Sequence, residues 1–186
     1  MDVNKTSIAD VLILTPKVYE DERGTFAETF NESEFQAEIG GDVHFVQDNQ
    51  SVSCYGVLRG LHLQSRKPQG KLIRVIEGQI YDVFVDCRHE SSSSGQHGGI
   101  LLTAQSYQQI WIPPGFAHGF LTLSEAATIQ YKVTDYYDPG FELTLAWDDP
   151  TLQIDWPVTS GPYLSKKDVE GRDFQSIMNA LSASEH

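Results

Sequence analysis

Short runs rich in Val, Ile, Leu, Phe and Tyr, each bounded by Gly, Pro, Asn or Asp, recur along most of this chain. They fall at residues 11–15, 26–30, 43–46, 72–76, 80–86, 99–103, 108–112, 116–122, 127–134 and 143–147. Runs this short and this regularly punctuated predict antiparallel strands folded into a β-sandwich or barrel. The Glu77-Gly78 pair between two runs predicts a tight hairpin, with Gly78 taking a positive φ. Two helices are expected. In the first, Asn31 caps with Glu34 three residues on, Phe35 and Ile39 share a face, and Gly40 ends the helix. In the second, Phe174, Ile177, Met178 and Leu181 follow the i, i+3, i+4, i+7 pattern of one apolar stripe. The serine run at 91–95 reads as a flexible loop, and the tail beyond Leu181 is expected to fray.

A chain of 186 residues suits one domain, spanning 1–186, that buries roughly two thirds of its unfolded surface. The opening residues lack the basic start and apolar run of a secretory leader, and no apolar stretch approaches the ~20 residues that cross a bilayer. A soluble, cytoplasmic protein without membrane contact is therefore expected. Cys54 and Cys87 lack Cys-x-x-Cys spacing and are expected to be buried free thiols. A formal charge of −13 excludes a nucleic-acid surface, which needs clustered Lys and Arg. Arg59, Arg66, Lys67, Lys71 and Arg74 nevertheless fall in a stretch with no Asp or Glu. That island predicts one small anionic ligand held in one place.

In Arg59-Gly60-Leu61-His62-Leu63-Gln64 a histidine sits in an apolar strand. Alternation puts His62 and Arg59 on opposite faces unless the chain bulges at Gly60. Pro113-Pro114-Gly115-Phe116-Ala117-His118 contains Pro-x-Gly-x-x-His, the second signature of cupin-type jelly rolls. The first cupin motif would be His62-x-Gln64, where an amide replaces one of the imidazoles that suit transition metals, so no metal is expected. The plain alternative for His118 is a barrel-lining hydrogen bond, for instance to Asp82. Tyr131 shares a strand face with Ile129 and Val133, where a packed phenol is the ordinary case. Ser165-x-x-Asp168 resembles a capping box.

Several longer phrases occur together: Asp21-Glu22-Arg23-Gly24, Gln47-Asp48-Asn49, Val57-Leu58-Arg59-Gly60-Leu61-His62, Gln69-Gly70-Lys71-Leu72, the segment 111–120, Tyr131-Lys132-Val133-Thr134-Asp135-Tyr136-Tyr137, Trp147-Asp148-Asp149-Pro150 and Ile154-Asp155-Trp156-Pro157. In this order they closely resemble the dTDP-4-dehydrorhamnose 3,5-epimerases, over about residues 8–168. The resemblance implies a metal-free, cofactor-free cupin jelly-roll barrel with few helices, one of them C-terminal. It also implies a homodimer, and epimerisation of dTDP-4-dehydro-6-deoxy-D-glucose at C3 and C5 in dTDP-L-rhamnose synthesis. By the same resemblance His62 is the base, Asp168 orients it, Tyr131 is the acid on the opposite face, and Lys71 and His118 lie near the ketone. Arg23, Glu28, Gln47, Asp48, Asn49, Arg59, Glu142 and Lys167 fall at positions that contact the dTDP-sugar. Two departures are Gln50, where the family has His, and Val169-Glu170-Gly171, where it has Ala-Pro. Some relatives epimerise one carbon only. The competing classes are a non-catalytic cupin that binds a nucleotide or sugar, and a single-site epimerase or 3,4-ketoisomerase on the same fold.

Overall fold

A computed structural model describes residues 1–158 and 160–184. Its strands are β1 (Asp2–Lys5), β2 (Leu12–Thr15), β3 (Val18–Asp21), β4 (Gly24–Ala27), β5 (Gln47–Cys54), β6 (Leu58–Gln64), β7 (Lys71–Glu77), β8 (Gln79–Asp86), β9 (His97–Thr103), β10 (Gln109–Ile112), β11 (Phe116–Thr122), β12 (Ala126–Val133) and β13 (Glu142–Thr144). Its helices are α1 (Glu32–Ile39), α2 (Lys166–Val169) and α3 (Phe174–Ser184), with a 3₁₀ turn at Ala104–Ser106. A six-stranded sheet runs β1-β2-β10-β7-β12-β5 and a five-stranded sheet runs β13-β6-β11-β8-β9, while β3 and β4 pair only with each other. All these strand pairs are antiparallel. This is the expected mostly-β jelly-roll, with its last helix at the C-terminal end.

The runs read as continuous rather than alternating because the strands are covered on both faces. Between the sheets lie Ile13, Ile73, Val75, Ile80, Phe84, Ile110, Phe116 and Ile129. Outside the five-stranded sheet, Leu61, Val83, Val85, Ala117 and Leu121 pack with Trp156, Ile177 and Met178, so the stripe of α3 closes that face. Outside the six-stranded sheet, Leu14, Leu72 and Trp111 pack under α1 through Phe35, which is wholly buried. α1 ends as expected: Asn31 accepts from the Glu34 amide and Gly40 takes a left-handed conformation.

Four expectations need correction. The Glu77-Gly78 turn is no hairpin: Gly78 has φ +78°, but β7 and β8 belong to different sheets, so the turn is a corner of the sandwich. Residues 43–46 form no strand, because Val43 and Phe45 pack into the aromatic cluster under α1, where Phe45 meets Phe35 and Trp111 edge-on or tilted. The serine run is pinned: Ser91 and Ser93 donate to Asp86, whose other partner is Arg88, and the Gly95 amide donates to the Asp86 carbonyl. Burial raises the Asp86 carboxyl, but these donors outweigh it and hold the group at about 2. Lastly, Cys87 is buried and Cys54 exposed, both free; β5 is an edge strand, and alternation turns Cys54 outward. Helix α3 continues past Leu181 to Ser184, whose hydroxyl donates to the Ser65 carbonyl; the final two residues lie outside the described part.

One buried carboxylate joins the C-terminal segment to the barrel. Asp149 is 1% exposed and accepts the amides of Thr151 and Leu152 on one oxygen and that of Phe174, the first residue of α3, on the other. Asp149→Ala leaves these donors unsatisfied in the interior and should cost about 2–4 kcal/mol. Denaturant titration of the variant checks this; a change below about 0.5 kcal/mol would contradict it.

Candidate active site

A cavity of about 720 Å³ opens between the sheets, well within the roughly 300–1,000 Å³ of small-molecule sites. From the five-stranded sheet it takes Arg59 and His62 of β6 and His118 and Phe120 of β11; from the six-stranded sheet it takes Gln47, Asn49 and Ser51 of β5, Lys71 and Ile73 of β7, and Ile129 and Tyr131 of β12. The C-terminal segment closes one side with Tyr163, Ser165, Lys167 and Asp168.

Arg59 and His62 share this cavity because β6 carries the bulge its glycine suggested. His62 pairs with His118 and Arg59 with Phe120, so three residue steps on β6 match two on β11. Gly60 sits at φ +125°, and a Cβ there would lie 2.5 Å from the Gly119 Cα and 2.8 Å from the His118 carbonyl. Only glycine fits this close approach, and without the bulge one of the two side chains would face outward.

His62 Nε2 donates to Asp168 Oδ1 at 2.6 Å, which leaves Nδ1 as the free basic nitrogen. Asp168 is 3% exposed, and Ser165 holds it twice, accepting its amide at 3.2 Å and donating to Oδ2 at 2.7 Å. The capping box is thus also the clamp of the dyad. Burial acts to raise the Asp168 carboxyl, but the hydrogen bonds from His62 and Ser165, with charge on His62 and Lys167, hold it below its ordinary value. A parallel dyad lies on the same sheet, where His118 Nε2 donates to the wholly buried Asp82 at 2.8 Å.

Tyr131 faces inward beside Ile129, as alternation requires. Burial raises its phenol above the ordinary value, with Arg59 working against the rise and Glu142 adding to it. Lys71 is 8% exposed, and burial lowers its ammonium to about 8, partly offset by Asp82 and Cys87. At the rim, Glu142 accepts Lys167 Nζ at 2.8 Å and the Tyr137 hydroxyl at 3.1 Å, and Arg59 Nε donates to Ser53 at 2.9 Å. The amide of Gln64, at the cupin ligand position, is spent on backbone: Nε2 donates to the Lys67 carbonyl, and Oε1 accepts the Asp138 amide. Among the described residues no group of three or more His, Cys, Asp or Glu is arranged to hold a metal ion.

The cavity brings together His62, Tyr131, Asp168, Lys71 and His118 with Gln47, Asn49, Arg59, Glu142 and Lys167. Three other candidates lie outside its lining. Asp48 alternates to the outer face of β5 and pairs with Lys132 at 2.9 Å; Arg23 stands at the β3–β4 turn, ion-paired with Asp21; and Glu28 accepts from Asn31 ahead of α1. The basic island also disperses, since only Arg59 and Lys71 of its five members face the cavity, while Arg66 stacks on Phe141. Residue-by-residue reading missed Ser51, Tyr137 and Tyr163 as lining residues. Counting two onward from Asn49 along β5 would have found Ser51.

A model of the dTDP-4-dehydrorhamnose 3,5-epimerase family matches residues 5–176. The chain belongs to that family. It is 52% identical over 169 residues to a dTDP-4-dehydrorhamnose 3,5-epimerase of Escherichia coli K12, covering 90% of this chain and 91% of that one. It is 48% identical over 174 residues to one of Pseudomonas aeruginosa PAO1, covering 94% and 96%. The fold superposes with a TM-score of 0.94, at 44% identity and over 97% and 96% of the two chains, on the crystal structure of a dTDP-6-deoxy-D-glucose-3,5-epimerase from Legionella pneumophila Philadelphia 1 in complex with dTDP-4-keto-L-rhamnose. No helix among the described residues of this epimerase-family chain is long and apolar enough to cross a membrane.

Proposed function

We propose that this chain epimerises dTDP-4-dehydro-6-deoxy-D-glucose at C3 and C5 to dTDP-4-dehydro-L-rhamnose, for dTDP-L-rhamnose synthesis, without a metal or other cofactor. The observation that carries the reading is that His62 and Tyr131 reach one cavity from opposite sheets. Inverting a stereocentre requires a proton to leave one face of the ring and return on the other, so a base and an acid must flank it.

The reaction begins when His62 Nδ1 takes the proton on the carbon beside the C4 ketone and the electron pair moves onto the ketone oxygen. The imidazolium that forms is stabilised by Asp168, which also fixes the tautomer. A proton beside a ketone is roughly a dozen pKa units less acidic than imidazolium, about 16 kcal/mol at 1.36 per unit. Donors aimed at an oxyanion contribute about 3–4 kcal/mol each in a site closed to water; Lys71 fills that role, and His118 joins it as the doubly protonated ring, with Nε2–H on Asp82 and Nδ1–H left to donate. Tyr131 then returns a proton from the other side. A phenol raised by burial is a weak acid, yet an enolate is a much stronger base than phenolate, so the transfer runs downhill. Lys167 and Arg59 answer the pyrophosphate, with Gln47, Asn49 and Glu142 as the remaining contacts along the rim.

As further parts of this reading, the chain acts as one catalytic domain over 1–186, resides in the cytoplasm in keeping with its two free thiols, and works as a homodimer. The β3–β4 hairpin supports the last point: Tyr19 and Phe26 are more than half exposed, and Arg23 on the same hairpin lies outside the lining of its own chain's cavity, in keeping with service to a second copy's. The test is proton NMR of dTDP-4-dehydro-6-deoxy-D-glucose with the protein in deuterium oxide. Loss of signal at both C3 and C5 is expected; loss at one carbon would make this a single-site epimerase, and no exchange by folded protein would leave a binding module.

A further inference from the structure

Tyr163 is the most exposed of the large apolar and aromatic side chains at 71%, yet it lines the cavity. Its backbone is fixed: its amide donates to the Gly56 carbonyl at 2.8 Å, the Leu58 amide donates to its carbonyl at 3.0 Å, and the segment forms a parallel bridge with Val57. It thereby extends the edge of β6 beyond Leu58, whereas β13 covers the same strand at residues 62–64. One side of its ring rests on Gly56, where an added Cβ would come within 3.4 Å of Cδ2. The ring is therefore held by a rigid backbone and supported from behind, with the rest of its surface open. Because this exposed aromatic area lies on the cavity lining, a ligand entering the cavity is placed to cover it.

The chain says which part of the ligand that is. Two residues on, Ser165 clamps Asp168, and Asp168 holds His62. Tyr163 is thus an aromatic ring built onto the same wall as the base, on the segment that carries Ser165 and Asp168, while Tyr137 lines the cavity from another segment and donates to Glu142. What lies against the base wall in this enzyme is the pyranose, whose C–H bonds make an apolar face suited to an aromatic ring. Resting on the nucleotide-sugar reading of this cavity, we propose that Tyr163 is a specificity-determining residue that stacks on the C–H face of the hexose.

The test compares two ligands by titration calorimetry: dTDP-glucose, which has the hexose but no ketone to react, and TDP, which lacks the sugar. Tyr163→Ala and Tyr163→Leu should each weaken dTDP-glucose about tenfold, the size of an aromatic contact, and leave TDP within about twofold. Tyr163→Phe should retain the wild-type affinity for both. The leucine variant keeps apolar bulk in place, so the comparison survives if the alanine variant folds poorly. Equal loss for TDP would assign the ring to the nucleotide and overturn the proposal, as would unchanged binding of both ligands. A wild-type protein that binds neither ligand would overturn the nucleotide-sugar reading itself, and this inference with it.

Discussion

Replacing His62 by alanine abolishes deuterium incorporation at both C3 and C5, whereas replacing Tyr131 by phenylalanine leaves incorporation running and impairs inversion. The two effects differ because the roles fall on opposite sides of the enolate. Without Nδ1 no proton leaves either carbon, and the loss should reach about 10³-fold or more, toward the upper end of what a positioned general base contributes. Without the Tyr131 hydroxyl the enolate still forms, supported by Lys71 and His118, but is returned its proton mainly from the face it left. Exchange should then continue within about tenfold of wild type while yield of the inverted sugar falls by about 10²-fold. Asp168→Asn belongs to the same test. The amide cannot stabilise imidazolium, and its NH2 can favour the wrong tautomer, so exchange should fall at both carbons together. Progress curves by NMR separate the three variants. Small, equal losses from His62→Ala and Tyr131→Phe would sink the assignment of acid and base.

Much of the barrel was legible because its strands are short, apolar and cut by turn residues; the segment 116–122 coincides with β11. What escaped reading was strand carried by polar residues. β5 has the sequence QDNQSVSC, with little β-propensity to declare it, and forms because β12 offers a paired edge along its whole length. The opposite error occurred at 43–46, where apolar residues that look like strand serve the cluster around Phe35 and Trp111. The Gly78 turn was misjudged for a related reason: a positive φ marks a tight reversal but does not say whether the next strand pairs with the last or crosses to the other sheet. Composition likewise suggested a mobile serine loop, and only the fold shows Asp86 beneath it to accept the hydroxyls.

In the site, local pattern carried two features well. A glycine between Arg59 and His62 foretold the bulge that lets both face the cavity, and a capping serine three residues before Asp168 foretold the turn that presents the carboxylate. The partnership of His62 with Asp168, 106 positions apart, follows from no spacing rule and came from resemblance. Charge density along the chain misled in one respect. A basic island spread over β6, a loop and β7 is sorted by strand alternation, so Arg74 and Lys71 on one strand serve different surroundings.

Lys71 carries the second large prediction, because burial makes its two states matter in opposite ways for activity and stability. Its ammonium titrates at about 8 in the fold and near 10.4 in an unfolded chain. If the charged form donates to the enolate oxygen, kcat should fall as pH rises through about 8. Stability moves the other way. Between about 8 and 10.4 the unfolded chain binds the extra proton, so the contribution of Lys71 to stability rises with pH across that window and is flat below it. Lys71→Met removes both effects: activity at pH 7 should drop by about 10²–10³-fold, as when an oxyanion donor is lost, and the stability of wild type relative to the variant should climb between pH 8 and 10. Denaturant titrations of both proteins at several pH values, beside kcat profiles, read the two signs independently. Wild-type activity that stays flat to pH 9.5 would remove Lys71 from the donor role, and a stability difference that does not change with pH would mean the lysine keeps its proton in the folded barrel.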